Sequence, residues 1–225
     1  TVDEASALSR AVSLAEKNQA DLTIVDVIPT QVVTGIGLLP GGPISGQLRD
    51  VVESDHRKIL ESMVEPFSER LQVKLNVLVG KTFLETIRAV LKNSYDLLIK
   101  PAENPTWTNR LFGSDDLHLL RKCPCPIWLV KPSEQSKYRN IMAAVDFDFL
   151  SPPPSEPYLN REILELAASL AISDFAALHI AHAWEALAEQ TFISRTDMSQ
   201  EGLAGYIERE QESHREELQR LAAKL

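Results

Sequence analysis

Cysteine is nearly missing from this 225-residue chain: only Cys123 and Cys125 occur, two positions apart. Neighbours that close cannot form an ordinary unstrained disulfide or supply the four ligands of a structural metal site, so a reducing compartment fits and both thiols read as structural. Long apolar runs are missing too. The stretch Pro126–Val130 is far shorter than the roughly 20 residues that span a bilayer as a helix, and no basic segment leads into an apolar core at the N-terminus. Basic blocks are absent. With 23 Lys and Arg against 32 Asp and Glu the net charge is -9, which gives no electrostatic footprint for nucleic acid or an anionic membrane. The chain therefore reads as cytoplasmic, with neither partner. No Ser/His/Asp order and no Gly-x-Ser-x-Gly elbow is present either, and no catalytic residue is assigned.

What is present alternates. Leu8, Ala11, Val12, Leu14 and Ala15 recur at helical spacing, and Leu22–Ile28 then reads as a strand stopped by Pro29. Residues 34–46 hold five glycines and two prolines, the composition of a loop that could fold over a pocket as a lid. A helical pattern runs from about Gln47 to Arg70, then a strand at 73–79 closed by Gly80, and a helix through Lys92 with Thr82 as its cap. Strands are expected at 95–100 and 127–131, flanking a short helix that Ser114 can cap and that runs to Lys122. Strands separated by helices require parallel pairing, because parallel neighbours need crossover connections. The expected fold class is α/β, a doubly wound open parallel sheet of Rossmann-like type.

The pattern restarts at Asn140–Val145. Shifting the chain by 156 positions aligns Leu8, Ala11, Ser13, Leu14, Ala15, Ala20, Leu22 and Ile24 with Leu164, Ala167, Ser169, Leu170, Ala171, Ala176, Leu178 and Ile180. His56, Arg57 and Leu60 match His214, Arg215 and Leu218 at nearly the same offset. Such self-similarity at domain length reads as duplication. Two domains are expected, residues 1–132 without a counterpart of the strand at 140–146, and residues 138–225 holding only the N-terminal part of the repeat. The second copy would then lean on the first or on a partner.

Asp96–Lys100, Leu111–Ser114 and His118–Val130 resemble the final half of universal stress protein domains, especially the tandem E-type, and Ile141–Asp148 is similar to that family's first strand with its terminal aspartate. The resemblance implies an adenine-nucleotide α-hydrolase-like fold duplicated in tandem, and a stress-response role. Nucleotide-binding members carry a glycine loop after the fourth strand whose amides and helix N-terminus hold phosphates. Here residues 100–108 contain no glycine; Pro101 and Pro105 remove two amide donors, and Glu103 would repel phosphate. An eroded ATP loop and no cofactor are therefore expected, in a non-catalytic ligand-sensing or interaction module. Gly113 and Ser114, with Asp146 at the family's adenosine end, keep an alternative open: an ATP- or AMP-binding member with slow hydrolysis. Ser114 as an ordinary cap and Asp146 as a strand-ending turn are the competing structural roles.

The strand Pro126–Lys131 would be an apolar edge needing cover. The resemblance implies pairing of last strands, in a dimer or between domains. His179 and His182 lie three apart on a strand and should face opposite ways, so they share no metal. His56 and His214 read as solvated or helix-pairing residues on polar helical faces. An unknown small molecule remains a candidate ligand near the loop at 34–46.

Overall fold

A computed structural model describes residues 2–30, 43–103, 115–131, 137–147, 156–184 and 200–224. They fall into two compact units, Thr1–Ser136 and Lys137–Leu225.

In the first unit the elements run α1 (Val2–Asn18), β1 (Leu22–Pro29), α2 (Pro43–Val64), a 3-10 turn (Glu65–Phe67), β2 (Val73–Gly80), α3 (Thr82–Asn93), β3 (Leu98–Pro101), α4 (Asp115–Lys122) and β4 (Ile127–Val130). Helix α2 starts before the expected Gln47. Proline, with its fixed φ and no amide hydrogen, suits a first helical turn, so Pro43 opens the helix. Pro66 closes it early, because α2 gives way to the 3-10 turn that contains this residue. Thr82 is not the cap of α3. Lys81, with extended backbone, holds that position without a side-chain cap bond, and Thr82 is already helical. Strand β3 begins later than expected because Ser94 takes a left-handed conformation, φ 52°, and its amide donates to the Val90 carbonyl to finish α3.

Each strand pair is parallel. β1 runs beside β2 from Leu22 opposite Val73 to Pro29 opposite Gly80, and β3 beside β4 from Leu98 opposite Ile127 to Pro101 opposite Val130. Among the described residues these are two-stranded ladders and not one continuous sheet. Helix α1 packs against β1, β3 and β4, so a single helix serves both ladders. It does so through a face of Ala7, Val12 and Ala15, all buried, while the buried Arg10 lays its guanidinium over the Trp128 ring at 5.4 Å. Ile28, Leu119 and Val130 are the most deeply enclosed side chains.

The second unit contains β5 (Asn140–Ala144), α5 (Glu156–Asp174), β6 (Ala177–Ala181) and α6 (Gln200–Ala222). β5 and β6 are parallel, from Asn140 opposite Ala177 to Ala144 opposite Ala181. Ala143, Val145, Phe147, Leu164 and Leu221 form its core, joined by Ile163, Ala167, Leu178, Ile180 and Leu218. Helices α5 and α6 thus both contribute to one core against the ladder. Met142, on the strand between the more enclosed Ile141 and Ala143, is exposed.

One local geometry occurs twice. Gln19 ends α1 with φ 52° and Phe175 ends α5 with φ 55°. The next amide in each case reaches back five residues, Ala20 to the Ala15 carbonyl at 3.0 Å and Ala176 to the Ala171 carbonyl at 2.9 Å. These are the residues that the 156-position offset superimposes.

Packing and backbone each yield a stability test. Leu164→Ala should lower stability by about 2–5 kcal/mol, because it opens a cavity in the second core. Phe175→Gly should raise it by about 0.5–1 kcal/mol, because the ring is 95% exposed and the left-handed backbone suits glycine. Urea unfolding monitored by far-UV circular dichroism reads both.

Candidate functional site

Parallel pairing brings the carboxyl ends of β5 and β6 to the same end of the second unit, so the residues after each strand gather there. The ladder extends one step further, since the Val145 amide donates to the Ala181 carbonyl at 2.9 Å. Next comes Asp146. Its main chain is held from both sides by Asn160 of α5: the Asp146 amide donates to Asn160 Oδ1 at 3.2 Å, and Asn160 Nδ2 donates to the Asp146 carbonyl at 2.6 Å. Asn160 is buried, and the Asp146 carboxylate that it holds in place is 94% exposed. A negative charge is thereby presented to solvent from a fixed backbone.

Beneath it lie four rings. Phe147 stacks on His182 with centroids 3.8 Å apart, and Trp184 stacks on His214 at 5.0 Å. His182 Nδ1 lies 3.2 Å from the Val145 carbonyl oxygen, an acceptor only, so Nδ1 carries the hydrogen and Nε2 is left as acceptor. His214 Nδ1, 3.0 Å from His182 Nε2, is then the donor of that bond. Asp146 Oδ1 stands 3.7 Å from His182 Nδ1, and Glu210 Oε2 stands 4.0 Å from His214 Nε2. Burial, and then the neighbouring His182, hold the His214 pKa below the ordinary imidazole value, and Glu210 only partly opposes them.

The ends of the strands in the first unit are arranged differently. At the end of β3, Lys100 Nζ is 2.6 Å from Asp116 Oδ1 and 3.5 Å from Glu103 Oε1. Asp116, buried in the first turn of α4, also accepts the Glu103 amide at 2.8 Å on its other oxygen. A carboxylate of the chain itself therefore sits at this helix N-terminus, where the dipole favours negative charge. On β1, Asp26 Oδ2 is 2.5 Å from Nδ1 of His56 on α2. Cys123 and Cys125 have their sulfurs 3.7 Å apart and are half-buried; burial and the hydrogen bond with Cys123 push the Cys125 thiol up to about 11. A thiol so weakly acidic is a poor nucleophile.

Of the residues singled out in the sequence, Asp146 stands at a strand end, whereas Gly113, Ser114 and residues 34–42 of the glycine-rich loop lie outside the described residues, and residues 43–46 of that loop are instead the start of α2. His179 on β6 is exposed, and His182, expected on the same strand, lies one residue past its end and is turned inward. His214 is not a solvated surface residue: its side chain is 12% exposed and it lies within the ring stack. Asn160, Trp184 and the Lys100–Asp116 pair carry no motif that marks them in the sequence. The repeat held one usable signal, because the 156-position offset places His182 opposite Asp26, and His214 follows His56 at the nearly equal offset of 158. Among the described residues, no three His, Cys, Asp or Glu side chains converge as metal ligands, and no helix is long and apolar enough to cross a membrane.

Comparison with known proteins gives a consistent picture. The model of the universal stress protein family matches residues 2–131. The universal stress protein E homolog of Haemophilus influenzae is 25% identical over 171 residues, covering 73% of this chain and 55% of that protein. Universal stress protein E of Escherichia coli K12 is 31% identical over 96 residues, 39% of this chain and 29% of that one. The chain thus spans little more than half of the first of these relatives and less of the second. A functionally unknown protein of Pseudomonas aeruginosa PAO1 shares the fold, with TM-score 0.56 at 21% identity over 93% of this chain and 63% of its own.

Asn160→Ala should cost about 1–3 kcal/mol, since two backbone groups at Asp146 lose their partner. Asn160→Asp should cost as much or more, because a carboxylate cannot donate to the Asp146 carbonyl. Thermal unfolding of the two variants beside wild type tests this; a melting temperature unchanged in both means that the clamp contributes nothing.

Proposed function

Because this chain belongs to the universal stress protein family, we propose that it is a non-catalytic stress-response module that senses a ligand or a partner, with a first unit that has given up the family's ATP loop. The observation that carries this is the Asp116 carboxylate, bound to Lys100 Nζ at 2.6 Å and to the Glu103 amide at 2.8 Å. By resemblance, the segment after β3 and the start of the next helix are where phosphates would lie. An additional anion within 4–5 Å of Asp116 would meet repulsion of about 3–4 kcal/mol per charge pair at an effective dielectric of 20. Lys100, a cation that could offset it, is already paired with Asp116.

We further infer that the two units are copies of one ancestral unit, the second corresponding to its N-terminal part. The matched left-handed helix ends at Gln19 and Phe175, with their matching hydrogen bonds, support this. An experimental structure in which α1–β1 fails to superimpose on α5–β6 at that offset refutes it. Pairing through the segment Pro126–Lys131, in a dimer or within a longer chain, belongs to the same proposal. Light scattering that finds only monomer at high concentration removes the dimer.

A second reading is favoured by one feature. Asp146 offers a fixed, exposed carboxylate at the end of β5, suited to accept hydroxyl groups of a ribose, and this supports a nucleotide-binding member with slow hydrolysis. The melting temperature of the protein, measured with ATP and with AMP up to millimolar concentration, separates the two. The first reading expects no shift. Occupancy at 100 times the dissociation constant would instead stabilise the fold by about 2.7 kcal/mol. A shift that Asp146→Ala abolishes would establish the second reading and refute the first.

A further inference from the structure

One contact between helix and strand occurs in both units with different partners. In the first unit, His56 of α2 places Nδ1 2.5 Å from Oδ2 of Asp26 on β1. In the second, His214 of α6 places Nδ1 3.0 Å from Nε2 of His182, just beyond β6. Asp26 and His182 are 156 positions apart, and His56 and His214 are 158 apart. The scaffold repeats and the charge does not.

The two contacts answer protons differently. An imidazolium at His56 still donates to the Asp26 carboxylate, so acid leaves that contact intact. In the second unit the hydrogen bonds run His214 Nδ1–H to His182 Nε2 and His182 Nδ1–H to the Val145 carbonyl. A proton added to His182 Nε2 sets two N–H donors against each other and breaks the link. A proton added to His214 Nε2 keeps the link but places a charge on a ring that is 12% exposed. Groups on the surrounding elements bear on that charge. Glu210 of α6 attracts from 4.0 Å, Asp146 after β5 stands 3.7 Å from the far side of His182 but is nearly fully exposed, and His182 itself repels once charged. The stacked faces of Phe147 and Trp184 add cation–π attraction of about 0.5–2 kcal/mol. Removing an ion from water costs several kcal/mol even after relaxation, so desolvation outweighs these attractions. That balance agrees with the lowered pKa of His214, whose largest cause is burial.

We propose that the His182–His214 pair is an acid-labile latch: acidification releases α6 from the carboxyl end of β6, while α2 stays docked in the first unit through His56 and Asp26. Once α6 opens, His214 returns to its ordinary proton affinity, so the open form binds more protons than the closed one. The latch is therefore at full strength above the ordinary imidazole value, about 6.5, and weakens as pH falls below it. Opening also uncovers Phe147 and Val145, which Leu218 and Leu221 of α6 help to enclose.

Hydrogen exchange of the full chain by mass spectrometry between pH 5 and 8, corrected for intrinsic rates, tests the latch. Protection of α6 amides should fall below about pH 6.5, by up to tenfold per pH unit for one proton taken up on opening. Protection of α2 should not change. His182→Asp gives the second unit the pairing of the first and should flatten the response. His214→Asn keeps an N–H donor without a titrating ring and should flatten it too, which decides the matter if the buried carboxylate of the first variant prevents folding. Protection of α6 that is flat with pH in the wild type overturns the proposal. So does an acid response that survives in both folded variants, or one that α2 shares equally.

Discussion

Parallel pairing is the constraint on which the rest of this structure depends. A parallel neighbour can be reached only by a crossover, and here helices supply it, α5 between β5 and β6 in the second unit. The same geometry sends both carboxyl ends to one end of the ladder, so the segments leaving the two strands must meet. Asp146 and Phe147 lie beside His182 and Trp184 for that reason. The helices then fix the details: α5 supplies Asn160 to the Asp146 backbone, and α6 supplies His214 to His182.

On that scaffold the two units place their charges in different ways. The first pairs Lys100 at the end of β3 with Asp116, and Asp26 within β1 with His56, so a charged ligand at the end of β3 would have to displace a group that is already paired. Lys100 and Asp116 are mostly shielded from solvent, and breaking such a pair strands a charge at a cost of about 3–5 kcal/mol. The second unit leaves the Asp146 carboxylate exposed at the end of its ladder and stacks Phe147, His182, His214 and Trp184 beside it. That arrangement offers a carboxylate to solvent from a fixed position.

The fold was readable from sequence where one periodicity dominates. Val12 and Ala15, read at helical spacing, lie buried on the inner face of α1, and Leu22–Ile28 falls within β1. Boundaries were missed where proline sets them in α2, at Pro43 and Pro66, and also where backbone conformation does. Nothing in Ser94 announces a left-handed residue that delays β3, and Thr82 has the chemistry of a cap without serving as one. The site was less legible. Asp146 could be found because a strand ends at it, but Asn160 is fourteen residues away inside a helix, and its double hydrogen bond depends on the packing of α5. His214 reads as a surface residue because it lies among Glu210, Glu212 and Arg215, all polar. It is buried because it shares the face of the helix that carries Leu218 and Leu221 inward.

The contrast between Asp26 and His182 shows how much one substitution at a shared geometry can alter. Both side chains accept a hydrogen bond from a histidine on a neighbouring helix, so neither the helix nor the strand needs to move when one replaces the other. What changes is the proton count of the pair. An imidazole facing a carboxylate holds its bond in either protonation state, because the acceptor keeps its lone pairs. An imidazole facing an imidazole holds it only while one ring remains an acceptor. Packing alone would therefore treat the two units as equivalent, and only the hydrogen-bond inventory of each nitrogen distinguishes them. That inventory depends on the Val145 carbonyl, which fixes the hydrogen on His182 Nδ1 and leaves Nε2 to receive His214.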